Sequence, residues 1–405
     1  MVPKNVGVCI VVENLPVPFD RRIWQEARAL AEAGYRVSVI CPKGRGFEQS
    51  RETRKGIEIY RHRLWEASGP SGYLLEYAWA LVSEFWLALK AYRRTRFRIL
   101  HAANPPDTVF LIALFFKFFG VRFIFDHHDL NPELYEAKFG KRDLFYRIVC
   151  LAEHLTFRTA AVSIATNQSY REVAICRGGM RPERVFTVRS CPDLRNIRPQ
   201  PPRPELKQGK NFLVAYVGVM GPQDGLDLLL ESIDFIVRSA KHDDVAFVLI
   251  GAGTELPLLK ELAAQKGLDA HVAFTDRIPD AELAAYLSSA DVCVAPDPKN
   301  PMNDKSTMNK ILEYMAYGKP VVLYDLTEGR RSAEDAALYA RPNDPEDFAR
   351  QILALLDSEN LRRTLGARGR KRIEESLNWD HEKRALLEAY DTALDDQRKQ
   401  SARIP

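Results

Sequence analysis

Two adjacent histidines stand between two aspartates at Asp126-His127-His128-Asp129, directly after the predicted strand 122–125. Near neutral pH a histidine can orient a hydroxyl group or transfer a proton, so these side chains suit acid–base or hydrogen-bonding chemistry. A single histidine is more often structural, but two of them beside carboxylates at the end of a predicted strand favour a functional role. Metal binding is the weaker interpretation, because adjacent histidines rarely face one ion and no spaced third ligand follows.

Residues 303–320 combine charged side chains with helical spacing. A carboxylate at Glu313 can accept two hydrogen bonds from a diol, and Lys310, together with Lys305, can balance the charge of a diphosphate. Taken alone, the pattern slightly favours a simpler interpretation, an exposed helix with a Lys–Glu pair three residues apart.

Glycines follow two of the predicted strands. Gly218 comes directly after residues 212–217, and Gly251 and Gly253 come directly after residues 245–250. Glycine lets the backbone approach a ligand closely, and a helix that begins nearby offers free N–H groups to an anion. No third glycine stands at the spacing of a dinucleotide-binding fingerprint, so a plain turn explains each motif at least as well.

The elements that must position these residues alternate between strand and helix along the chain. In an open parallel sheet, ligands bind at the carboxyl ends of the strands, which is where the histidines and glycines fall. The proline-rich segment 198–210 predicts a linker between two doubly wound α/β domains, 1–197 and 211–377. The predicted strands are 6–12, 37–40, 99–102, 122–125, 161–165, 212–217, 245–250, 272–274, 292–294 and 320–324. The predicted helices are 21–33, 73–92, 108–119, 146–159, 225–238, 255–266, 280–288, 307–317 (with Asn303 or Ser306 as its cap), 345–356, 359–375 and 379–394.

Composition limits the class of protein. Of the 405 residues, 46% are hydrophobic and 28% are charged, which is typical of a soluble globular protein. The six cysteines form no C-x-x-C pair, so neither a disulfide framework nor a zinc site is expected, and a reducing, cytoplasmic compartment fits. The first residues do not resemble a signal peptide. The longest apolar run, 109–114, extends through residue 119 but is broken by Lys117, so it is shorter than the roughly 20 apolar residues that span a bilayer.

Charge is divided unevenly, with a net +11 over residues 1–200 and a net −7 over residues 201–405. A basic first half suits anionic lipid headgroups or a diphosphate, although solvated arginines on helix faces explain it equally well. The predicted helix 73–92 carries aromatic side chains and is followed by arginines, which favours docking at a membrane surface slightly over a core helix with a basic end. Nucleic-acid binding is not expected, because the basic residues form no aromatic-interleaved stripe. The side chains that favour membrane docking are Trp79, Phe85, Trp86, Leu89, Arg93, Arg94, Arg96 and Arg98.

Together the motifs resemble the family 4 retaining glycosyltransferases of the GT-B fold, over nearly the whole chain. The most specific part is the block 313–322, EYMAYGKPVV, and residues 19–22 and 324–330 are similar to a bacterial surface-polysaccharide subgroup. The resemblance implies a GT-B architecture, with two tandem doubly wound Rossmann-like domains, an interdomain cleft, and a C-terminal helix, 378–396, that packs back on the first domain. The other motifs that carry the resemblance are Gly218, Gly251-Ala252-Gly253, 272–274 and 290–292.

The resemblance implies that the second domain binds the donor. Glu313 matches the second glutamate of the family's pair, which binds the donor ribose. The first position of that pair is Lys305 here, so Asp304 or Lys305 would contact the donor sugar differently. The family's Arg and Lys after the Gly218 turn are absent, which leaves Lys305 and Lys310 to balance the diphosphate. The remaining implied donor contacts are Gly251, Gly253, Arg277 and Ile278.

In the first domain, the resemblance places His127 or His128 near the C6 region of the donor sugar. Both are predicted catalytic residues, together with Lys310, and the predicted acceptor-side residues are Asn14, Arg21 and Asp129. Lys310 and helix N-termini would stand in for a divalent ion, so neither a metal nor another cofactor is expected.

The implied activity is transfer of a hexosyl or N-acetylhexosaminyl group, with retention, from a nucleoside-diphosphate sugar. A UDP-sugar is favoured as donor, and a glycan linked to polyprenyl diphosphate is the expected acceptor, in surface polysaccharide synthesis at the inner face of the cell membrane. Two alternatives stay open. A nucleotide-sugar epimerase of the same fold would need no acceptor, and a non-catalytic homologue would bind the donor without turning it over.

Overall fold

The computed structural model describes residues 5–64 and 70–401, with side chains for 5–64 and 78–395. The chain forms two compact units. The first unit is the chain up to Ser190 together with the chain from Glu382 onwards, and the second unit is Cys191–His381. Among the described residues, no helix is both long enough and apolar enough to cross a bilayer.

The first unit is built on an eight-stranded sheet. Its strands are β1 (Gly7–Val11), β2 (Arg36–Pro42), β3 (Arg51–Arg54), β4 (Ile57–His62), β5 (Ile99–Ala103), β6 (Arg122–His127), β7 (Val162–Ala165) and β8 (Val185–Thr187). They lie in the order β3-β4-β2-β1-β5-β6-β7-β8, with β3 antiparallel to β4 and the other described pairs parallel. β1 is an unbroken buried apolar run, as expected of a strand covered on both faces. The helices are α1 (Arg21–Glu32), α2 (Pro70–Thr95), α3 (Phe110–Lys117), α4 (Asn131–Phe139), α5 (Leu144–Thr159) and α6 (Gln168–Cys176).

The second unit contains a six-stranded, fully parallel sheet. Its strands are β9 (Phe212–Val217), β10 (Val245–Ile250), β11 (Val272–Phe274), β12 (Val292–Ala295), β13 (Val321–Tyr324) and β14 (Ala337–Ala340), in the order β11-β10-β9-β12-β13-β14. The strand order therefore reverses between β9 and β12, as in doubly wound nucleotide-binding folds. The helices are α7 (Leu226–Asp234), α8 (Leu256–Gln265), α9 (Asp280–Ser289), α10 (Asn309–Ala316), α11 (Thr327–Ala333), α12 (Pro345–Leu356) and α13 (Glu359–Glu375).

The last helix, α14 (Trp379–Ser401), packs on the first unit from Glu382 onwards. The Tyr390 hydroxyl lies 2.7 Å from Nδ1 of His101, and its ring meets Tyr35 edge-on at 5.6 Å. Lys383 pairs with Glu32 at 2.7 Å. These contacts attach α14 to β5 and α1.

The predicted pair of parallel α/β domains is confirmed, and most predicted elements lie within two or three residues of the observed ones. The sequence missed short or polar elements: β3, β4, β8, β14, α4, α6 and α11. Residues 198–210, predicted as a linker, are bonded to the second unit. The backbone N–H of Gln200 donates to Ser288 Oγ at 2.9 Å, and that of Arg203 donates to Ser289 Oγ at 2.8 Å.

Glu84 on α2 is a buried carboxyl group whose two oxygens have no hydrogen-bond partner. Burial raises the pKa of Glu84 to about 8. In the unfolded chain Glu84 ionises near its ordinary pKa, so it should lower the free energy of unfolding as the pH rises from about 4.5 to about 8. We expect Glu84→Gln to remove up to about 5 kcal/mol of that pH dependence. Urea unfolding of both proteins at the two ends of this pH range checks the expectation, and parallel pH dependences would contradict it.

Candidate functional site

The reversal point of the second sheet is where a doubly wound fold places its ligands. The loop 218–225 follows β9 there, and residues 296–298 follow β12. The Gly225 backbone is packed tightly against this second loop, since a Cβ on Gly225 would lie 2.2 Å from the carbonyl oxygen of Pro296. Asn303 is buried and links the same two loops by donating to the carbonyl oxygens of Gln223 at 3.0 Å and Pro298 at 2.9 Å.

Lys310 brings a positive charge to this point. Its Nζ donates to Asp297 Oδ1 at 2.8 Å, lies 3.9 Å from Asp224 Oδ1, and sits 4.8 Å from the centre of the Tyr216 ring. Only 10% of the lysine side chain is exposed. Burial raises the pKa of Asp224, and Lys310 opposes that rise. The cluster therefore presents one ammonium group between two carboxylates, which sequence reasoning did not pair with it.

The position of Lys310 is fixed by the helix that carries it. Tyr314, fully buried on α10, accepts a hydrogen bond from the Val217 backbone N–H at 2.7 Å and donates to the Val294 carbonyl at 3.2 Å. It thereby joins α10 to β9 and β12, the two strands at the reversal point. Glu313 is half-buried on the same helix.

The predicted cap of this helix was wrong. α10 begins at Asn309 after Met308, which makes no side-chain capping bond. Asn303 and Ser306 lie upstream of the helix, where Asn303 holds the two loops and Ser306 donates to the Met302 carbonyl at 2.8 Å.

The glycines after β9 and β10 are explained by contact between their two loops. Gly218 donates its backbone N–H to Ile250 at 3.0 Å. A Cβ on Gly251 would lie 1.8 Å from the Gly218 carbonyl oxygen, and the φ of +142° at Gly251 disfavours any other residue. A Cβ on Gly253 would lie 2.2 Å from the carbonyl oxygen of Met220. This packing requires glycine whether or not a ligand binds.

The other predicted donor residues occupy separate places in the second unit. Asp304 accepts hydrogen bonds from the backbone N–H and hydroxyl of Thr327 at 2.8 and 2.9 Å, at the start of α11. Burial raises the pKa of Asp304, but the hydrogen bonds from Thr327 outweigh burial and hold that pKa below its usual value. Lys305 ends the short 3₁₀ turn Asn303–Lys305. Arg277 and Ile278 follow β11, two strands away from β9.

In the first unit, the two histidines at the end of β6 face different surroundings. His127 is fully buried against the rings of Phe125, Phe157 and Tyr170, and neither of its nitrogens has a hydrogen-bond partner. Burial, reinforced by Arg177, lowers the pKa of His127 to about 3, so the ring is neutral. The His128 side chain is 17% exposed. Of the two, His128 is the one placed to reach a ligand.

Asn104, which sequence reasoning missed, holds the loop that carries His128. Its Oδ1 accepts the backbone N–H groups of His128 at 2.6 Å and Asp129 at 3.1 Å, and its Nδ2 donates to the Asp129 carbonyl at 2.8 Å. Burial raises the pKa of the Asp129 carboxyl group. The predicted acceptor-side residues Asn14 and Arg21 are exposed, the first after β1 and the second at the start of α1.

Among the described residues, Glu26, His101 and Asp126 place possible metal-ligand atoms within 4.8 Å of one another. The Arg22 guanidinium already supplies positive charge there, 2.8 Å from Asp126 Oδ1 and 3.1 Å from Glu26 Oε1. A dication beside this buried cation would be repelled, so the donor set does not fit a metal ion. The absence of a metal requirement stays a prediction.

Comparisons with known proteins cover both units. Residues 20–191 match the family described as glycosyl transferase 4-like domain, and residues 211–358 match the family described as glycosyl transferases group 1. A phosphatidyl-myo-inositol mannosyltransferase of Mycobacterium leprae is 29% identical over 173 residues, 42% of this chain and 44% of that protein. The aligned segment thus spans less than half the length of that relative.

Solved structures resemble the chain along almost its entire length. Sucrose-phosphate synthase from Thermosynechococcus elongatus gives a TM-score of 0.80 at 18% identity, covering 96% of this chain and 100% of that one. HepE of Anabaena, solved in complex with UDP and glucose, gives 0.71 at 16% identity, covering 95% and 99%. These likenesses confirm the predicted fold class. The chain belongs to the family 4 glycosyltransferases of the GT-B fold.

Proposed function

We propose that this chain transfers a hexosyl or N-acetylhexosaminyl group, with retention of configuration, from a nucleoside-diphosphate sugar to a glycan acceptor. The family supports transfer from a nucleotide sugar, and the Anabaena structure, which holds UDP and glucose, is consistent with the favoured UDP donor. The observation that carries the proposal is Lys310, a nearly buried cation at the reversal point of the second sheet.

In the proposed reaction, the second unit holds the donor. Glu313 accepts hydrogen bonds from the ribose diol, and Lys310 moves its ammonium group from Asp297 to the diphosphate. The bond from sugar C1 to the diphosphate oxygen breaks, and a bond from C1 to the acceptor oxygen forms on the same face. The acceptor's proton goes to the leaving phosphate. Lys310 stabilises the charge that develops on the diphosphate, with no metal or other cofactor required.

Nucleotide binding tests the donor half of the proposal. We expect calorimetric titration to show tighter binding of UDP than of GDP, and Glu313→Ala to weaken UDP binding at least about tenfold, because two hydrogen bonds to a charged group are lost. Glu282→Ala, an exposed glutamate on α9, is the matched control and should bind UDP normally. Equal binding by all three proteins would contradict the assignment of Glu313.

For the acceptor, we propose a polyprenyl-diphosphate-linked glycan, met by the first unit at the inner surface of the cell membrane in surface polysaccharide synthesis. The Mycobacterium leprae relative, which is named for mannosyl transfer to a phosphatidylinositol, is consistent with a lipid-linked acceptor. The first unit also has an apolar face formed by three helices in sequence: α2 and α3 meet at Phe85 and Phe115, whose ring centres are 5.0 Å apart, and α3 packs on α5. Its exposed side chains are Trp79, Val82, Trp86, Leu111, Leu114, Phe115, Phe118, Phe119, Leu144, Phe145, Ile148, Leu151 and Leu155.

The three helices of this face also carry exposed cations. Arg93 and Arg94 end α2, Lys117 ends α3, and Arg147 lies on α5. Exposed aromatic and aliphatic side chains bordered by cations are typical of a surface that docks on anionic lipid. A second copy of the same face would be repelled by the like charge, which favours a membrane over self-association.

Liposome co-sedimentation tests the membrane surface. We expect the protein to bind vesicles that contain phosphatidylglycerol and to ignore vesicles of phosphatidylcholine alone. Phe118→Glu, at a side chain that is 90% exposed, should weaken binding about tenfold, because a charge enters the lipid-facing surface. Leu258→Glu, at a 59% exposed position of the second unit, is the control. Sedimentation that does not depend on lipid charge or on Phe118 would rule out this surface.

A further inference from the structure

His128 shares a buried polar cluster with residues from α1, β5, β6 and α14. Asp126 lies at its centre and is fully buried. Arg22 contacts both oxygens of Asp126: Nη2 lies 2.8 Å from Oδ1, and Nε lies 3.3 Å from Oδ2. The Nε2 atoms of His101 and His128 approach Asp126 Oδ2 at 3.3 and 2.6 Å. One carboxylate is therefore surrounded by three side chains that can donate.

The charge state of this cluster follows from Arg22. Burial alone would raise the pKa of Asp126, but Arg22 and His128 hold it well below its ordinary value, so Asp126 is ionised. Burial raises the pKa of Glu26 well above its ordinary value, and the negative charge of Asp126 raises it further, while Arg22 opposes the rise. Burial also lowers the pKa of His101. A neutral His101 that donates from Nε2 to Asp126 accepts at Nδ1 from the Tyr390 hydroxyl, 2.7 Å away.

His128 Nε2 has two close neighbours that make opposite demands. Asp126 Oδ2, at 2.6 Å, can only accept, whereas Arg22 Nε, at 2.7 Å, can only donate. If Nε2 carried no proton, its lone pair would face an ionised oxygen at hydrogen-bond distance, which is repulsive. If Nε2 carries the proton, it donates to Asp126, and Arg22 Nε keeps Asp126 Oδ2 as its own acceptor at 3.3 Å. In the second arrangement both N–H groups point at Asp126 Oδ2 and each has an acceptor, although the 2.7 Å between Nε2 and Arg22 Nε then becomes a contact between two donors. We expect this arrangement to prevail, because the bond to an ionised carboxylate at 2.6 Å is the stronger interaction.

We propose that Asp126 is a positioning residue that keeps the proton of neutral His128 on Nε2 and leaves Nδ1 to accept a hydrogen bond from a ligand hydroxyl group. The ligand class rests on the proposed function, which makes it a sugar hydroxyl. Asp126 itself lies under the loop and does not reach the ligand. His127, with both nitrogens buried, has no part in this arrangement.

Nitrogen NMR on the full chain with nitrogen-15-labelled histidine tests the tautomer without any activity. The His128 ring is assigned by its disappearance in His128→Gln. At a pH where the ring is neutral, we expect Nε2 to be protonated and Nδ1 to be unprotonated in the wild type. In Asp126→Asn the amide oxygen should turn to Arg22 and the amide N–H to His128, which moves the ring proton to Nδ1. A wild-type His128 with its proton on Nδ1 overturns the proposal, even if the variant does not fold.

Kinetics then test the positioning role. We expect Asp126→Asn to lower kcat at least about tenfold, the value of one hydrogen bond, with a smaller change in the donor KM, since the proposed contacts to the nucleotide all lie in the second unit. Tyr390→Phe, which alters the far end of the same chain of bonds, should stay within about threefold of the wild type. An equal loss of kcat in both variants would mean general structural damage and would refute the positioning role. Absence of turnover in the wild type would refute the proposed function alone, because the NMR result stands apart from it.

Discussion

Lys310→Ala is expected to lower kcat/KM for the donor about 1,000-fold, the upper range for loss of one charge-stabilising group in an active site. The physical reason is that the substitution removes the positive charge from the site between β9 and β12 and leaves two negative charges there. Without the ammonium group, Asp297 and Asp224 face the diphosphate directly, so the binding energy is lost and replaced by repulsion. Steady-state rates of nucleoside diphosphate release measure the effect.

The same carboxylates supply the decisive control for Lys310. Adding Asp297→Asn and Asp224→Asn to Lys310→Ala removes the repulsion and the buried unpaired charge, so nucleotide binding should recover in part while turnover stays low. Lys371→Ala, an exposed lysine on α13 that pairs with Glu375 at 3.8 Å, should keep nearly full activity. If Lys310→Ala retained wild-type turnover, Lys310 would be a structural residue and the donor half of the proposal would fall.

Arg22→Met is expected to lower the free energy of unfolding by about 3–5 kcal/mol at neutral pH, as is typical when one member of a buried ion pair is removed. Asp126 would be left buried and ionised without its cation. The backbone carbonyl of Val188, which accepts from Arg22 at 2.8 Å, would also lose its partner. Arg28→Met on the same helix removes an exposed pair with Glu32 at 3.5 Å and should cost less than about 1 kcal/mol.

The pH dependence distinguishes charge from packing in the Arg22 cluster. In the wild type, the lowered pKa of Asp126 stabilises the fold above the ordinary aspartate range, and that stability is lost as the pH falls through the folded-state pKa. Without Arg22, burial should instead raise the pKa of Asp126, and protonation then relieves the unpaired charge. The difference between Arg22→Met and wild type should therefore shrink from about pH 7 to about pH 4 in urea unfolding. A difference that stays constant with pH would indicate lost packing rather than lost charge.

The fold was accessible from sequence because apolar runs such as β1, β9 and β10 are buried on both faces and separated by helices of ordinary length. The position of Lys310 and Glu313 on a helix was also readable from spacing. The residues that pair across the fold could not be predicted from spacing. Arg22 and Asp126 lie 104 positions apart, and their pairing depends on how α1 meets β6, which no local pattern encodes.

The choice between His127 and His128 shows a second limit. Neighbouring side chains of a strand point to opposite faces of the sheet, so their positions in the sequence show which one is exposed only if one face is exposed. Residues 123–127 of β6 are all buried, so alternation does not distinguish the two histidines. Only the surroundings, aromatic rings for His127 and the Asp126 cluster for His128, distinguish them. The exposure of the apolar residues of α5 likewise could not be predicted from the sequence. A helix with Leu144, Ile148 and Leu151 on one side has the same spacing as a helix that packs on a core.

The measurement that tests the central claim most directly is turnover of a panel of UDP- and GDP-sugars by the purified chain, with and without a polyprenyl-diphosphate-linked glycan. Free nucleoside diphosphate and the sugar product are followed together by NMR. We predict that one UDP-sugar releases UDP in step with formation of a glycoside of unchanged anomeric configuration, faster with acceptor than by hydrolysis. Conversion of the sugar without release of nucleotide would indicate an epimerase, and binding without any turnover would indicate a non-catalytic homologue. Either result would contradict the proposed function.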